Sequence, residues 1–205
     1  MEDIRETRLH NIATPDYQIY PLLEQRYSPR TFMDKEISDE DLKVLFEAVR
    51  WAASSNNYQP WRFIVAKKGT VAYKKLVSCL SEFNQKWVEN APVLCLCGFK
   101  KTFDNGKENF HALYDLGLSL GNMSVQAQDM NIALHHMGGV NWKKAHEEFN
   151  VPDDFHIATA LAMGYYGGNL DKLPKDLQEQ EQSIRIRNPQ KDFVYYDNWK
   201  INHIL

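Results

Sequence analysis

Residues 47–67 read EAVRWAASSNNYQPWRFIVAK (Glu47–Lys67), and the passage from helix to strand within them decides the fold. Just upstream, Leu42, Leu45, Phe46 and Val49 fall at i, i+3, i+4 and i+7, which is one face of a helix. Ser38, with Asp41 three residues on, has the pattern of an N-cap followed by an acidic third residue. The helix runs into Ser54-Ser55-Asn56-Asn57, turns at Gln59-Pro60-Trp61 and leaves as the short strand RFIVAK. Four small polar side chains at that place form either a solvated turn or a surface that holds a polar ligand.

Working outward, APVLCLCGF (Ala91–Phe99) is a continuous apolar run after a proline and reads as a strand buried on both faces. Gly69 to about Asn84 is expected to be helical. Residues 109–130 form the longest predicted helix, with Gly117, Gly121 and Ser124 beside Leu113, Leu116, Leu120 and Met123. Small residues four apart let another backbone approach closely, and a helix apolar on several sides needs cover on several sides. IATALAMGYY (Ile157–Tyr166) is the last long strand, ended by Gly167-Gly168. The order is α+β, not strict βαβ alternation. No repeat or linker divides the chain, so a polar segment over 1–14 and one domain over 15–205 are expected, with 190–205 as a C-terminal arm.

The 205 residues, 43% hydrophobic and 12% aromatic, suffice for one sizeable core. A net charge of -3 argues against a protein that tracks nucleic-acid phosphates. Cys79, Cys95 and Cys97 have neither disulfide-like nor zinc-ligand spacing, so they read as buried, reduced thiols. MEDIRETRLH lacks an apolar signal core and no window approaches a membrane span, so a soluble, cytoplasmic protein with no membrane or nucleic-acid partner is expected.

EQRYSPRTF places Arg26, Ser28 and Arg30 within five residues, and guanidinium forks around a hydroxyl suit a phosphate. An exposed charged turn is the plainer alternative. In SIRIRNP, Arg185 and Arg187 alternate with isoleucines, which puts both arginines on one side of an extended segment, as a simple surface strand also would. Together the two pairs offer up to four cations to one dianion. His135 and His136 are adjacent, face opposite ways in a strand, and make a poor shared metal site. No phosphate loop, GxGxxG, HExxH or GxSxG occurs, and Glu147-Glu148 and Asp153-Asp154 read as solvated charges. No side chain stands out as catalytic, so an enzyme here would rely on a cofactor.

Taken in order, RYSPRTF, AASSNNYQPWRF, NQKWVENAPVLCL, HHMGGV, IATALAMGYY and RIRNP resemble the FMN-dependent nitroreductases across about residues 20 to 190. The resemblance implies a nitroreductase-like fold, with a central mixed, mostly antiparallel sheet flanked by helices and a long central helix at a dimer interface. It also implies a homodimer with FMN held between the subunits, and the C-terminal arm packed on the partner. Arg26, Ser28 and Arg30 would serve the phosphate and the pyrimidine end of the flavin, with a main-chain contact from Tyr27, and Arg185 and Arg187 would join at the phosphate. Asn84 and Gln85 would bond the ring or ribityl chain, while Ser54, Ser55 and Asn57 would reach across from the other subunit. His136, Met137, Gly138 and Gly139 would lie against the ring, with a backbone N–H near flavin N5.

The implied activity is ping-pong hydride transfer from NADH or NADPH to flavin N5 and on to a nitroaromatic, a quinone or a related electrophile. A specialised relative, such as a reductive dehalogenase or enone reductase, and a flavin-storing or redox-sensing protein are the alternatives. Two departures stand out: Ala53 where a proline is frequent, and Gly138 where many members carry a glutamate. Phe103 and Phe110, in the variable segment Phe99–Phe110, are candidates for lining the substrate.

Overall fold

The computed structural model describes residues 12–197 and Trp199. Most of the expected N-terminal segment (1–11) and the end of the C-terminal arm (198 and 200–205) lie outside the described residues. Pro21, whose missing N–H is no loss at a helix start, opens α1 (Pro21–Gln25). Ser38 Oγ accepts the Asp41 N–H at 3.0 Å and starts α2 (Asp39–Arg50), which buries Leu42, Leu45 and Val49. After a 3-10 turn at Ser55–Asn57 come β1 (Trp61–Lys67), α3 (Val71–Ser78) and α4 (Glu82–Gln85). Then follow β2 (Val93–Lys100), α5 (Ala112–Asp129), β3 (Ile132–Met137), α6 (Trp142–Phe149), β4 (Phe155–Tyr165) and α7 (Lys175–Glu181).

The strands lie in the order β1-β2-β4-β3, and every described pair is antiparallel. Alternation sends Val93, Cys95, Cys97, Leu161 and Met163 to one face, where they join a cluster with Leu45 and Val49 of α2 and Leu116, Leu120 and Met123 of α5. Leu94, Leu96, Ala160 and Ala162 go to the other face, with Tyr73 and Leu76 of α3, Ala145 of α6 and Leu177 of α7. Both faces are therefore covered, which explains why β2 reads as an unbroken apolar run. The three cysteines are free and fully buried, and burial pushes the Cys97 and Cys79 thiols up. No described helix is long and apolar enough to cross a membrane.

One expected element is split. The helix foreseen from Gly69 to about Asn84 breaks at Cys79–Ser81 into α3 and α4. Both pieces have their own N-cap: Thr70 Oγ1 accepts the Tyr73 N–H, and Ser81 Oγ accepts the Asn84 N–H. Between them Leu80 bridges to Val140 and the Ser81 N–H donates to the Gly139 carbonyl at 2.8 Å. Long-range pairing thus displaced local helix propensity, and it brings α4 against the end of β3.

Glycine is required where the chain leaves β4. Gly168 has φ +103°, and a Cβ there would press into the Phe32 main chain. Gly106 also has a positive φ, +78°, but open space around it. Gly168→Ala is expected to cost more than about 2 kcal/mol in urea unfolding, and Gly106→Ala about 1 kcal/mol, because only the former adds overlap to backbone strain. Equal costs would mean that the Phe32 contact yields easily.

Candidate functional site

The chain bends out of α1 through Arg26–Arg30, and the far end of α7 runs into a stretch without regular secondary structure, Ser183–Arg187. These two segments, roughly 160 positions apart, face one another across an open cleft of about 200 Å³. Arg26, Tyr27, Ser28, Arg30, Arg185 and Arg187 line it, with Gln180, Glu181 and Ser183. The alternation foreseen for SIRIR holds: the arginines border the cleft, while Ile184 and Ile186 are each 81% exposed on the opposite side.

Several bonds hold this arrangement. Arg26 Nη1 donates to Ser28 Oγ at 3.2 Å, and Arg185 Nη1 donates to the Glu24 carbonyl at 2.8 Å. The Tyr166 hydroxyl, just past β4, donates to the Tyr27 carbonyl at 3.2 Å and accepts the Tyr27 N–H at 3.4 Å, with the two rings 5.0 Å apart. The Tyr27 main chain, foreseen as a ligand contact, is therefore engaged inside the protein. Arg30 is engaged too: Glu181 accepts from its Nη1 at 2.9 Å and from its main-chain N–H at 3.1 Å. Burial lowers the pKa of Arg26 and of Arg185, and neighbouring guanidiniums add to it: Arg187 beside Arg26, Arg26 and Arg187 beside Arg185. Such crowding favours an anion among them. Arg30 Nε is buried without a hydrogen-bond partner among the described residues. A cleft of this size and charge fits a phosphate group.

The end of β3 lies beside this region. His135 Nδ1 meets the Pro29 carbonyl at 2.9 Å, so that nitrogen carries the proton, and the ring packs on Trp87 at 4.5 Å. His136 projects from the opposite face and meets Ser124 Oγ at 3.0 Å through Nε2. The Ser124 hydroxyl hydrogen goes to the Leu120 carbonyl, so His136 Nε2–H is the donor and its Nδ1 lone pair is open. Desolvation pulls both rings down to about 4, with Arg26 adding to the effect on His136, so both are neutral at physiological pH.

Met137 is buried. Gly138 has nothing within 4 Å of where a Cβ would stand, so its backbone is open to close approach. Gly139 is the reverse: a Cβ there would lie 2.5 Å from Ser81 Oγ and 2.9 Å from Asn84 Nδ2. Asn84 Nδ2 donates to the Gly139 carbonyl at 3.4 Å, and Gln85 Nε2 donates to the Leu80 carbonyl at 2.8 Å. Asn84 thus sits against the β3 corner, and the Gln85 amide nitrogen is spent on its own turn. Neither lines the arginine cleft.

Ser54, Ser55 and Asn57 are not brought to that cleft within the chain. Ser54 and Ser55 line a separate depression of about 300 Å³ with Ala53, His111, Tyr114, Asp115 and Leu118. The buried Asp115 accepts the Ser55 N–H with both oxygens at 3.2 Å, and Ser54 Oγ accepts the Gln59 N–H. Asn57 takes a positive φ of 59° and bonds Gln59 through its Oδ1. Phe103 packs on Tyr58 with ring centroids 4.6 Å apart, whereas Phe110 is 83% exposed. Tyr166, Glu181 and Asp115 were missed in the sequence. Tyr166 reads in sequence only as the end of the last strand, and Glu181 hides in an exposed-looking QEQEQ run. Among the described residues no cluster of His, Cys, Asp or Glu has the makings of a metal site.

Comparison with known proteins bears on this geometry. The model of the nitroreductase family matches residues 23–82 and 71–165. A solved structure described as the oxidoreductase containing FMN is 31% identical, with a TM-score of 0.85, covering 93% of this chain and 97% of that one. The FMN reductase (NAD(P)H) of Bacillus subtilis strain 168 is 26% identical over 182 residues, 79% of this chain and 71% of its own. The major NAD(P)H-flavin oxidoreductase of Aliivibrio fischeri is 36% identical over 98 residues, 47% of this chain and 43% of its own.

The neutral histidines give a pH signature. A folded value of about 4, below the unfolded value near 6.5, means that the neutral ring supports the fold. That support is complete above about pH 6.5 and drains between there and about pH 4, for His135 on the order of 3 kcal/mol. The His135 ring resonances should keep their neutral-form NMR shifts at pH 5. A titration centred near 6.5 would contradict the burial argument.

Proposed function

The chain belongs to the nitroreductase family and works as an NAD(P)H-dependent FMN oxidoreductase, and we propose that its arginine cleft anchors the FMN phosphate. The observation that carries the assignment is the convergence of Arg26, Ser28, Arg185 and Arg187 from distant segments on one cleft. Charge-assisted hydrogen bonds contribute roughly 1.5–3 kcal/mol each, so three guanidiniums suffice to hold a dianion. Arg30, tethered to Glu181, borders that site instead of closing on the phosphate with its Nη1. FMN bound there would supply the hydride chemistry, accepting from NAD(P)H and donating in ping-pong fashion to a nitroaromatic, a quinone or a related electrophile. The chain's part is positional. The open backbone at Gly138 admits a planar ring, Gly139 lets α4 seat Asn84 beside it, and neutral His136 adds no charge.

The remaining residues are accounted for by a homodimer. Ser54, Ser55 and Asn57, remote from the cleft of their own chain, form a wall of the partner's flavin site, and Asp115 fixes that wall through the Ser55 N–H. Exposed apolar side chains support this reading: Leu113 and Tyr114 on α5, Ile184 and Ile186, and Phe193, Tyr196 and Trp199 in the arm. Gly117 and Gly121 have open space around them for another backbone.

Anaerobic stopped-flow tests the activity. The flavin absorbance of the FMN-loaded protein should bleach on mixing with NADH or NADPH and return on adding a quinone or nitroaromatic. A flavin that neither nucleotide bleaches would favour a storage or sensing protein. Tyr114→Glu, placing a charge on the proposed interface, should give a monomer by analytical ultracentrifugation and lower FMN retention at least about tenfold. A dimer with full flavin would remove α5 from the interface.

A further inference from the structure

Glu181 is poorly explained as ordinary scaffold. It is the last residue of α7, where the helix carbonyls already concentrate negative charge, and its side chain is only 4% exposed. Burial pushes its carboxyl up, so a charged form at this place needs compensation. Arg30 supplies it twice, from the guanidinium and from the main chain. The same carboxylate lines the cleft with Arg26, Arg30, Arg185 and Arg187, so among the described residues four cations face one anion in a small, partly buried space. The Glu181–Arg30 pair also ties the end of α7, which leads into the Ser183–Arg187 stretch, to the Arg26–Arg30 bend.

We infer that Glu181 is a built-in counter-anion of the phosphate cleft, holding the arginine cluster together in the cofactor-free protein and opposing the phosphate dianion once the cofactor binds. This rests on the reading of the cleft as a phosphate site. The two effects have opposite signs. The carboxylate offsets guanidinium repulsion while no other anion is present, and it repels a second anion that arrives beside it. Glu181 is thereby a positioning residue for Arg30 and a brake on cofactor affinity.

Glu181→Gln separates charge from shape, because it keeps the volume and one acceptor oxygen toward Arg30 while removing the negative charge. The cofactor-free variant should melt below the wild type, and inorganic phosphate should raise its melting temperature more than it raises that of the wild type. FMN, followed by quenching of its fluorescence, should bind the variant roughly tenfold more tightly at low salt. That gain should shrink at high salt. Glu181→Asp keeps the charge and should show no tightening. If Glu181→Gln fails to fold in phosphate-free buffer, refolding in inorganic phosphate should recover it.

Weaker or unchanged FMN binding in Glu181→Gln, equal tightening in Glu181→Asp, or no rescue by phosphate would each overturn the counter-anion role and leave a plain structural clamp. Failure of both FMN and inorganic phosphate to bind even the wild type would instead fell the phosphate-site reading, and this inference with it.

Discussion

Filling both faces of a four-stranded sheet is the constraint from which the rest follows. Leu94 and Leu96 point into one cluster, Val93, Cys95 and Cys97 into the other, and both clusters are built from buried apolar side chains. Charged groups are expelled from such layers because burying them unpaired costs several kcal/mol. Chemistry therefore gathers where the chain leaves the sheet: past β4 at Tyr166, at the β3 corner, and beyond the end of α7. Ligand sites at the rim of a well-packed scaffold combine solvent access with rigid backing.

At that rim, positive charge is collected by fixed partners. Tyr166 uses one hydroxyl to occupy both main-chain groups of Tyr27, which sets the direction in which Arg26 and Ser28 leave the backbone. The Glu24 carbonyl takes Arg185, and Glu181 takes Arg30. The guanidiniums are thus oriented before any anion arrives, and pre-organisation of this kind lowers the ordering cost of binding. His135 joins the backing, since its Nδ1–H bond to the Pro29 carbonyl ties the arginine-bearing bend to β3.

What was legible in the sequence follows from local rules. The face formed by Leu42, Leu45, Phe46 and Val49, the Ser38 cap, the doubly buried β2 run and the side-to-side alternation of Arg185 and Arg187 with their isoleucines each need only a few neighbouring residues. What was not legible depends on contacts between distant segments. Nothing near Cys79 announces that Leu80 will pair with Val140 and break a helix. Glu181 sits among glutamines and glutamates, and its pairing with Arg30 comes from 151 positions away. Asp115 is likewise one polar residue on a largely apolar helix until the Ser55 N–H meets it, 60 positions off. The expectation that Ser54, Ser55 and Asn57 serve a ligand came from resemblance, and one chain alone does not bring them to the arginines.

The Ile184–Arg187 stretch has a consequence for how the chain can change in length. Its side chains alternate between the cleft and the outer surface, so function there depends on parity. Adding or deleting one residue between α7 and Arg185 would turn both isoleucines toward the arginine cleft and both arginines away from it. A change of two residues keeps each side chain on its own face and costs only slack. Variation in the length of this connection should therefore come in even steps, as firmly as if a codon pair were the unit of insertion.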